Sequence, residues 1–322
     1  MKVIVAGMGV QGNKRVHFAE KDVVSTVDPV EEGADFRSIE DAPLASYDSV
    51  LLCIPDQPKV GIITYLLEQG KNVLVEKPLM AEKDEDLIRL AEMAREKNLI
   101  CYTAYNHRFE PHIISVREAV RSGRLGEVYR IRMFYGNGTA RDVRNSARRD
   151  QGAGVLPDLG SHLLDILLFV FGEIPEPKEW KVLACQRFEN RSPDHVVVAA
   201  QPPGAKVMIE FEMSLLSWRN HFVAEIYGSA GSLMMESLCK WGPSKLTYYE
   251  RVLPSGCPPS ELKTVTTPDP TWKMEYNHFK RLVQQGGEGN TSNDILINRI
   301  LKRLSGLVVT PGDEAPSTAK ME

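Results

Sequence analysis

Three groups of residues have types and spacings suited to chemistry. The first is Lys77, in the stretch "VLVEKPL" at residues 73–79. An apolar run that reads as a buried strand ends here on Glu-Lys-Pro. Burying a lysine is costly unless something pairs with it, and proline stops the strand. Either Lys77 points into water, or it is held at the carboxyl edge of a sheet, where its ammonium would stabilise negative charge on a ligand oxygen. The second group lies in "GAGVLPDLGSHLLD" at residues 152–165. From Asp158 the pattern is helical, and Asp158, His162 and Asp165 share one face by the i, i+4, i+7 rule. His162 suits general acid–base work, because an unperturbed imidazole titrates near neutrality. Asp158, one turn earlier, would orient it, bind a substrate hydroxyl or simply cap the helix. Asp165 reads as structural or orienting.

The third group is "GMGVQG", with Gly7, Gly9 and Gly12 directly after an apolar run. A G-x-G-x-x-G is informative when a strand precedes it, a helix follows it and an acidic residue ends the next strand about 20 residues on. Asp28 in "VSTVDP" meets the last condition. Gly7 would permit the tight turn, Gly9 the approach of a pyrophosphate and Gly12 close helix–strand packing. The helix opening at Val10 and Gln11 would offer backbone N–H groups to the anion. Asp28 would accept hydrogen bonds from the adenosine ribose and repel a 2′-phosphate. Its neighbours Pro29, Glu31 and Glu32 supply no cation, so the expected cofactor is NAD rather than NADP.

These residues need a scaffold that brings strand ends together. The first hundred residues alternate apolar runs ("KVIVAG", "DVVSTVD", "SVLLCIP", "KNVLVEKP", "LICYTAY") with helical stretches, "PKVGIITYLLEQG" and "EDLIRLAEMAREKN". That rhythm predicts an α/β Rossmann domain, a doubly wound parallel sheet, over 1–120. Long strand-like runs then follow without helices between them, from "EVYRIRMFYG" to "KLTYYERVL". They predict a second, α+β domain over 121–308 with an open, mostly antiparallel sheet. Two helical patterns, "WKMEYNHFKRLVQQG" and "NDILINRILKRLSG", close it, and 309–322 reads as a poorly ordered tail.

Composition excludes several classes. A formal charge of −4 argues against generic nucleic-acid binding. The five cysteines are scattered, with no CxxC pair and no Cys/His cluster, so no metal site is expected. The longest apolar segment, "HLLDILLFVFG", is too short to span a bilayer, and the expected setting is cytoplasmic. A Tyr-x-x-x-Lys, the signature of short-chain dehydrogenases, occurs only as Tyr276 to Lys280, far from the glycines. On a helix it is an ordinary i, i+4 spacing.

Together "GMGVQG", "LEQGKNVLVEKPL" and "GAGVLPDLGSHLLD" resemble the glucose-fructose oxidoreductase / inositol dehydrogenase / rhizopine catabolism (Gfo/Idh/MocA) family. The likeness runs from residue 1 to about 235. It implies an NAD(P)-dependent enzyme that oxidises or reduces a hydroxyl of a sugar, polyol or nucleotide sugar. The family roles carry onto Lys77, Asp158 and His162 as catalytic and substrate-binding residues. They place Gly7, Gly9, Val10, Gln11, Gly12, Asp28, Pro55, Glu76 and Lys77 against the cofactor. Tyr105, Asn106 and Arg108 of "YNHRFEP" fall where the family contacts substrate. Two departures stand out: "GNKRVH" follows the glycines, and "CIPDQPK" lacks the histidine that often follows the third strand. Arg141, Arg144, Arg148 and Arg149 form a local basic excess that would grip an anionic group or pair with Asp142, Asp150 and solvent. A strand-rich second domain with one uncovered face predicts a homodimer or homotetramer. The alternative function on this fold is a non-catalytic NAD-binding regulator.

Overall fold

The computed structural model describes residues 1–254 and 256–309. The chain forms two compact units, one of Met1–Phe109 with Pro270–Asn298, the other of Glu110–Asp269 with the described residues from Arg299 onward. The sequence reading assigned the closing helical patterns to the second domain. The structure instead returns helix α7 (Thr271–Gln285) and the first part of α8 (Thr291–Val308) to the first unit. The expected tail, 309–322, lies outside the described residues apart from Val309.

In the first unit five strands pair in parallel in the order β2-β1-β3-β4-β5. They are β1 (Val3–Ala6), β2 (Val23–Val27), β3 (Ser49–Leu52), β4 (Asn72–Glu76) and β5 (Cys101–Ala104). β1, β3 and β5 are buried at every residue, which is why they read as unbroken apolar runs. Helices α1 (Val10–Ala19), α2 (Lys59–Glu68) and α3 (Asp84–Glu96) connect them. The strand order reverses at β1, so the loops after β1 and β3 flank the switch point where such sheets bind ligands.

Polar bonds tie the returning chain to this sheet. The Asn290 side chain accepts from Thr103 N–H and donates to Thr103 C=O, at 2.6 and 2.8 Å. The Tyr276 hydroxyl and the Lys280 ammonium both donate to Asp22 Oδ2, at 2.8 and 2.6 Å. Tyr-x-x-x-Lys is therefore a clamp on Asp22, in the short turn between α1 and β2.

The second unit holds an eight-stranded sheet, order β13-β12-β11-β10-β6-β9-β8-β7. β6 (Val128–Gly136) pairs in parallel with β9 (Met208–Ser214), and the other pairs are antiparallel. β7 (Trp180–Gln186), β8 (His195–Ala200), β10 (His221–Gly228), β11 (Gly231–Glu236) and β12 (Ser244–Glu250) follow the expected runs. β13 (Ser260–Val265) and α4 (Pro111–Arg121) were not expected. β6 alternates as a half-covered strand should, with Ile131, Met133 and Tyr135 buried and Arg130 and Arg132 on the other face. On that face Arg132 bridges Glu210, Glu212 and Glu225 at 3.1 to 3.5 Å. Helix α6 (Ser161–Phe171) belongs to the same unit as this sheet.

Candidate active site

The turn after β1 is shaped by close approaches. Gly7 has φ +91°, and a Cβ there would lie 2.4 Å from the Cys53 carbonyl oxygen, so the loops after β1 and β3 press together. A Cβ on Gly12 would lie 1.8 Å from the Gly7 oxygen, so only glycine lets α1 start this close to the turn. Gly9 differs, because a Cβ there would meet nothing within 4 Å. The chain itself does not require this glycine, and the space it leaves lies at the N-terminus of α1. That turn carries no acidic side chain, and Val10, 74% exposed, and Gln11 open onto solvent. N–H groups and the positive helix end there suit an anion, and the room fits the pyrophosphate of a dinucleotide.

Asp28 stands beside this turn. Its carboxylate accepts N–H bonds from Met8 (2.6 Å), Val30 and Glu31 (both 2.9 Å). These backbone donors hold its pKa below the usual carboxylate range, so it is an anion at neutral pH. The sequence reading found no cation nearby. The fold supplies one: exposed Arg37 donates to the Glu31 carbonyl at 2.8 Å, and its charge also favours the Asp28 carboxylate.

At the end of β4, Glu76 was expected to face the cofactor. The structure gives one of its carboxylate oxygens to Arg15 of α1, whose Nε and Nη2 approach it at 2.7 and 2.6 Å. Arg15 also pairs with Glu275 of α7 at 2.7 Å and lies over the Trp272 ring, 4.4 Å from its centroid. Burial opposes this charge, but the two carboxylates outweigh it and raise the arginine pKa. The departure "GNKRVH" thus supplies a core ion-pair anchor. Lys77 follows, half-buried, joined to Pro78 by a cis peptide. Pro55 is exposed on the loop after β3. Near it Lys59, which sequence reasoning missed, sends its ammonium to Asp56 Oδ1 and the carbonyls of Glu76 and Pro78.

In the second unit Asp158 and His162 do not share one regular helix. A π-helical turn, Leu156–Gly160, carries Asp158, and α6 proper begins at Ser161. Such turns occur disproportionately at functional sites. Gly160 sets the approach to β9, since a Cβ there would lie 2.9 Å from Met213 Sδ. Asp158 is half-buried, His162 is 6% exposed and Asp165 is fully buried. Tyr135 of β6 was not anticipated. Its ring centroid is 5.8 Å from that of His162, and its hydroxyl accepts a 3.3 Å bond from the Lys240 ammonium. Burial, with the Asp158 charge adding to it, raises the Tyr135 pKa, so the phenol stays protonated. Lys240 lies over the Trp241 ring at 4.4 Å. A histidine, a carboxylate, a phenol and an ammonium thus gather in one unit.

The remaining candidates separate. Tyr105 is buried, and Asn106, also buried, donates its side-chain amide to Thr271 Oγ1 at 2.8 Å. Arg108 is half-buried. Arg141, Arg144, Arg148 and Arg149 are all exposed, and none makes an ion pair among the described residues. Asp150 does not answer them: its carboxylate binds Arg191 Nε at 3.0 Å and the Ser192 N–H and hydroxyl at 2.8 and 2.9 Å. Among the described residues no group of three or more His, Cys, Asp or Glu could hold a metal ion. No helix among them is long and apolar enough to cross a membrane.

Residues 3–105 match the family model "Oxidoreductase family, NAD-binding Rossmann fold", and residues 113–234 match the "GFO/IDH/MocA C-terminal domain". The chain belongs to the Gfo/Idh/MocA oxidoreductase family, with an NAD-binding Rossmann domain. It is similar to the inositol 2-dehydrogenase of Rhizobium meliloti, 29% identical over 154 residues. That match covers 47% of this chain and 42% of the relative, so the chain spans less than half of that enzyme's length. The levoglucosan dehydrogenase solved with NADH and levoglucosan shares the fold, with a TM-score of 0.76 and 17% identity over 95% of this chain and 96% of that one. So does an Agrobacterium radiobacter oxidoreductase solved with NAD+, L-tartaric acid and magnesium, with a TM-score of 0.75, 16% identity and 94% of both chains covered.

Proposed function

We propose that this chain is an NAD-dependent oxidoreductase that moves hydride between nicotinamide and a secondary hydroxyl or ketone of a sugar, polyol or nucleotide sugar. The observation that carries this reading is a buried histidine behind a π-helical turn, grouped with an aspartate and a tyrosine, in a family whose first domain binds NAD.

In the oxidative direction His162 takes the proton of the substrate hydroxyl. Lys77 stabilises the developing alkoxide, which is the electrostatic part of the catalysis. Asp158 orients His162 or binds a neighbouring hydroxyl. The space at Gly9, the N-terminus of α1 and Asp28 hold the dinucleotide, with Val10, Gln11 and Pro55 lining its path. The nicotinamide, when bound, supplies the hydride acceptor. Asp28 supports NAD as the preferred form, with Arg37 available to moderate the penalty on NADP. The inositol and levoglucosan dehydrogenases it resembles favour a polyhydroxylated substrate.

The test is NADH formation from NAD across pools of free polyols, sugars, sugar acids and nucleotide sugars. Turnover in one pool supports the reading and names the substrate class. Silence from every pool in both directions, in protein that binds NADH, would replace it with a non-catalytic NAD-binding regulator.

A further inference from the structure

Lys59 opens α2, on the loop that follows β3. It is 1% exposed, and its ammonium donates at 2.6 Å to Asp56 Oδ1, at 2.6 Å to the Glu76 carbonyl and at 2.8 Å to the Pro78 carbonyl. An ammonium has three N–H donors, so this one is saturated. The two carbonyls it grips belong to the residues on either side of Lys77. Packing alone does not call for this arrangement. Buried ions are often replaced by apolar groups of similar volume without loss of stability. Here, moreover, burial is the largest influence on Lys59 and acts against its charge. A cation in this place does something an apolar residue could not: it holds two backbone oxygens of one turn at fixed points.

We propose that Lys59 is a positioning residue for Lys77. Its ammonium fixes the backbone on both sides of Lys77 and thereby the direction in which that side chain leaves the strand edge. Through Asp56 it also contacts the loop after β3. The kinetic consequence rests on the oxidoreductase reading above, whereas the geometric consequence does not.

Two readouts separate them. Trace acetylation of intact protein with acetic anhydride, followed by mass spectrometry, reports the accessibility and reactivity of Lys77 against the exposed reference lysines Lys2 and Lys83. In Lys59→Met the labelling of Lys77 rises several-fold while the references stay constant. Asp56→Asn, which keeps the ammonium and weakens one of its three contacts, gives a smaller rise and serves alone if Lys59→Met does not fold. Unchanged Lys77 labelling in every variant that folds overturns the proposal. In turnover, Lys59→Met lowers kcat about 100-fold with NADH affinity retained, the scale expected for a misplacement of about 1 Å. In a Lys77→Met background the same substitution changes kcat by no more than about twofold, a difference within the scatter of such double-mutant comparisons. A full, additive loss in that background would mean that Lys59 is only structural, which also overturns it. Raised Lys77 labelling in a protein that turns over no substrate would leave the positioning intact and refute the oxidoreductase reading instead.

Discussion

Replacing Arg15 by methionine tests the anchor beneath the candidate cofactor site. Methionine keeps much of the side-chain length and removes the charge. Arg15 is 1% exposed, Glu275 is buried, and the Glu76 carboxylate is 12% exposed. The substitution leaves these two carboxylates without the guanidinium between them, and breaking a buried pair in this way costs about 3–5 kcal/mol. Against a typical domain stability of about 5–15 kcal/mol this is a large fraction. With a urea m-value of about 3 kcal/mol/M, the midpoint of the first unit's transition falls by at least about 1 M. The assay is equilibrium urea unfolding at pH 7, followed by far-UV circular dichroism. A companion double variant, Arg15→Met with Glu275→Leu, removes a buried charge together with its cation and regains part of the loss. A midpoint shift below about 0.3 M in the single variant, about 1 kcal/mol by the same conversion and at most about a third of the expected loss, would refute the view that this ion pair anchors α1, β4 and α7.

Other outcomes follow from the same contacts. Gly12→Ala places a Cβ 1.8 Å from the Gly7 oxygen, so it abolishes NADH binding in a fluorescence titration even where the protein stays folded. Asp28→Ala weakens NAD more than NADP, and competition titrations in which both weaken equally would contradict the ribose role of Asp28. Asp22 is partly desolvated, but its bonds from Lys280 and Tyr276 outweigh this and hold its pKa below the usual 3.8. Because that folded-state pKa is depressed, the stability it brings is present above about pH 4 and is lost as pH falls through the folded value. Lys280→Met therefore lowers stability at pH 7 and flattens the acid limb of a stability-against-pH curve.

Most of the first sheet was legible because strands buried on both faces, such as β1, β3 and β5, must be largely apolar. Pro58 and Gly70 also bracket α2 in the way helix ends favour. The turns "QPPGAK" and "GSAGS" gave the hairpins of the second sheet for similar reasons. β13 was invisible: its residues are nearly all exposed at a sheet edge, so no apolar period marks it. Helix α4 carries such a period but sits where the alternating rhythm breaks off. Among the candidate residues, Lys77, Asp158 and His162 could be singled out from motif and spacing. Arg15 and Lys59 were not, because a basic residue in a helix's first turns reads as solvated until its partners, distant along the chain, are known. Arg37 and Tyr135 were hidden the same way: only the fold brings Arg37 back toward Asp28 and sets β6 beside α6. The π-helical turn at Asp158 leaves no mark in a pattern that fits an ordinary helix equally well.

The most direct test of the central claim compares turnover by wild type, His162→Asn and Lys77→Met on the substrate found in the pools, with NADH affinity measured for each. General acid–base catalysis contributes about 10²–10⁴-fold, so His162→Asn should lose at least about 100-fold in kcat while binding NADH as wild type does. Lys77→Met should lose comparably. If His162→Asn turns over at the wild-type rate, the proton is handled elsewhere and the proposed mechanism is wrong.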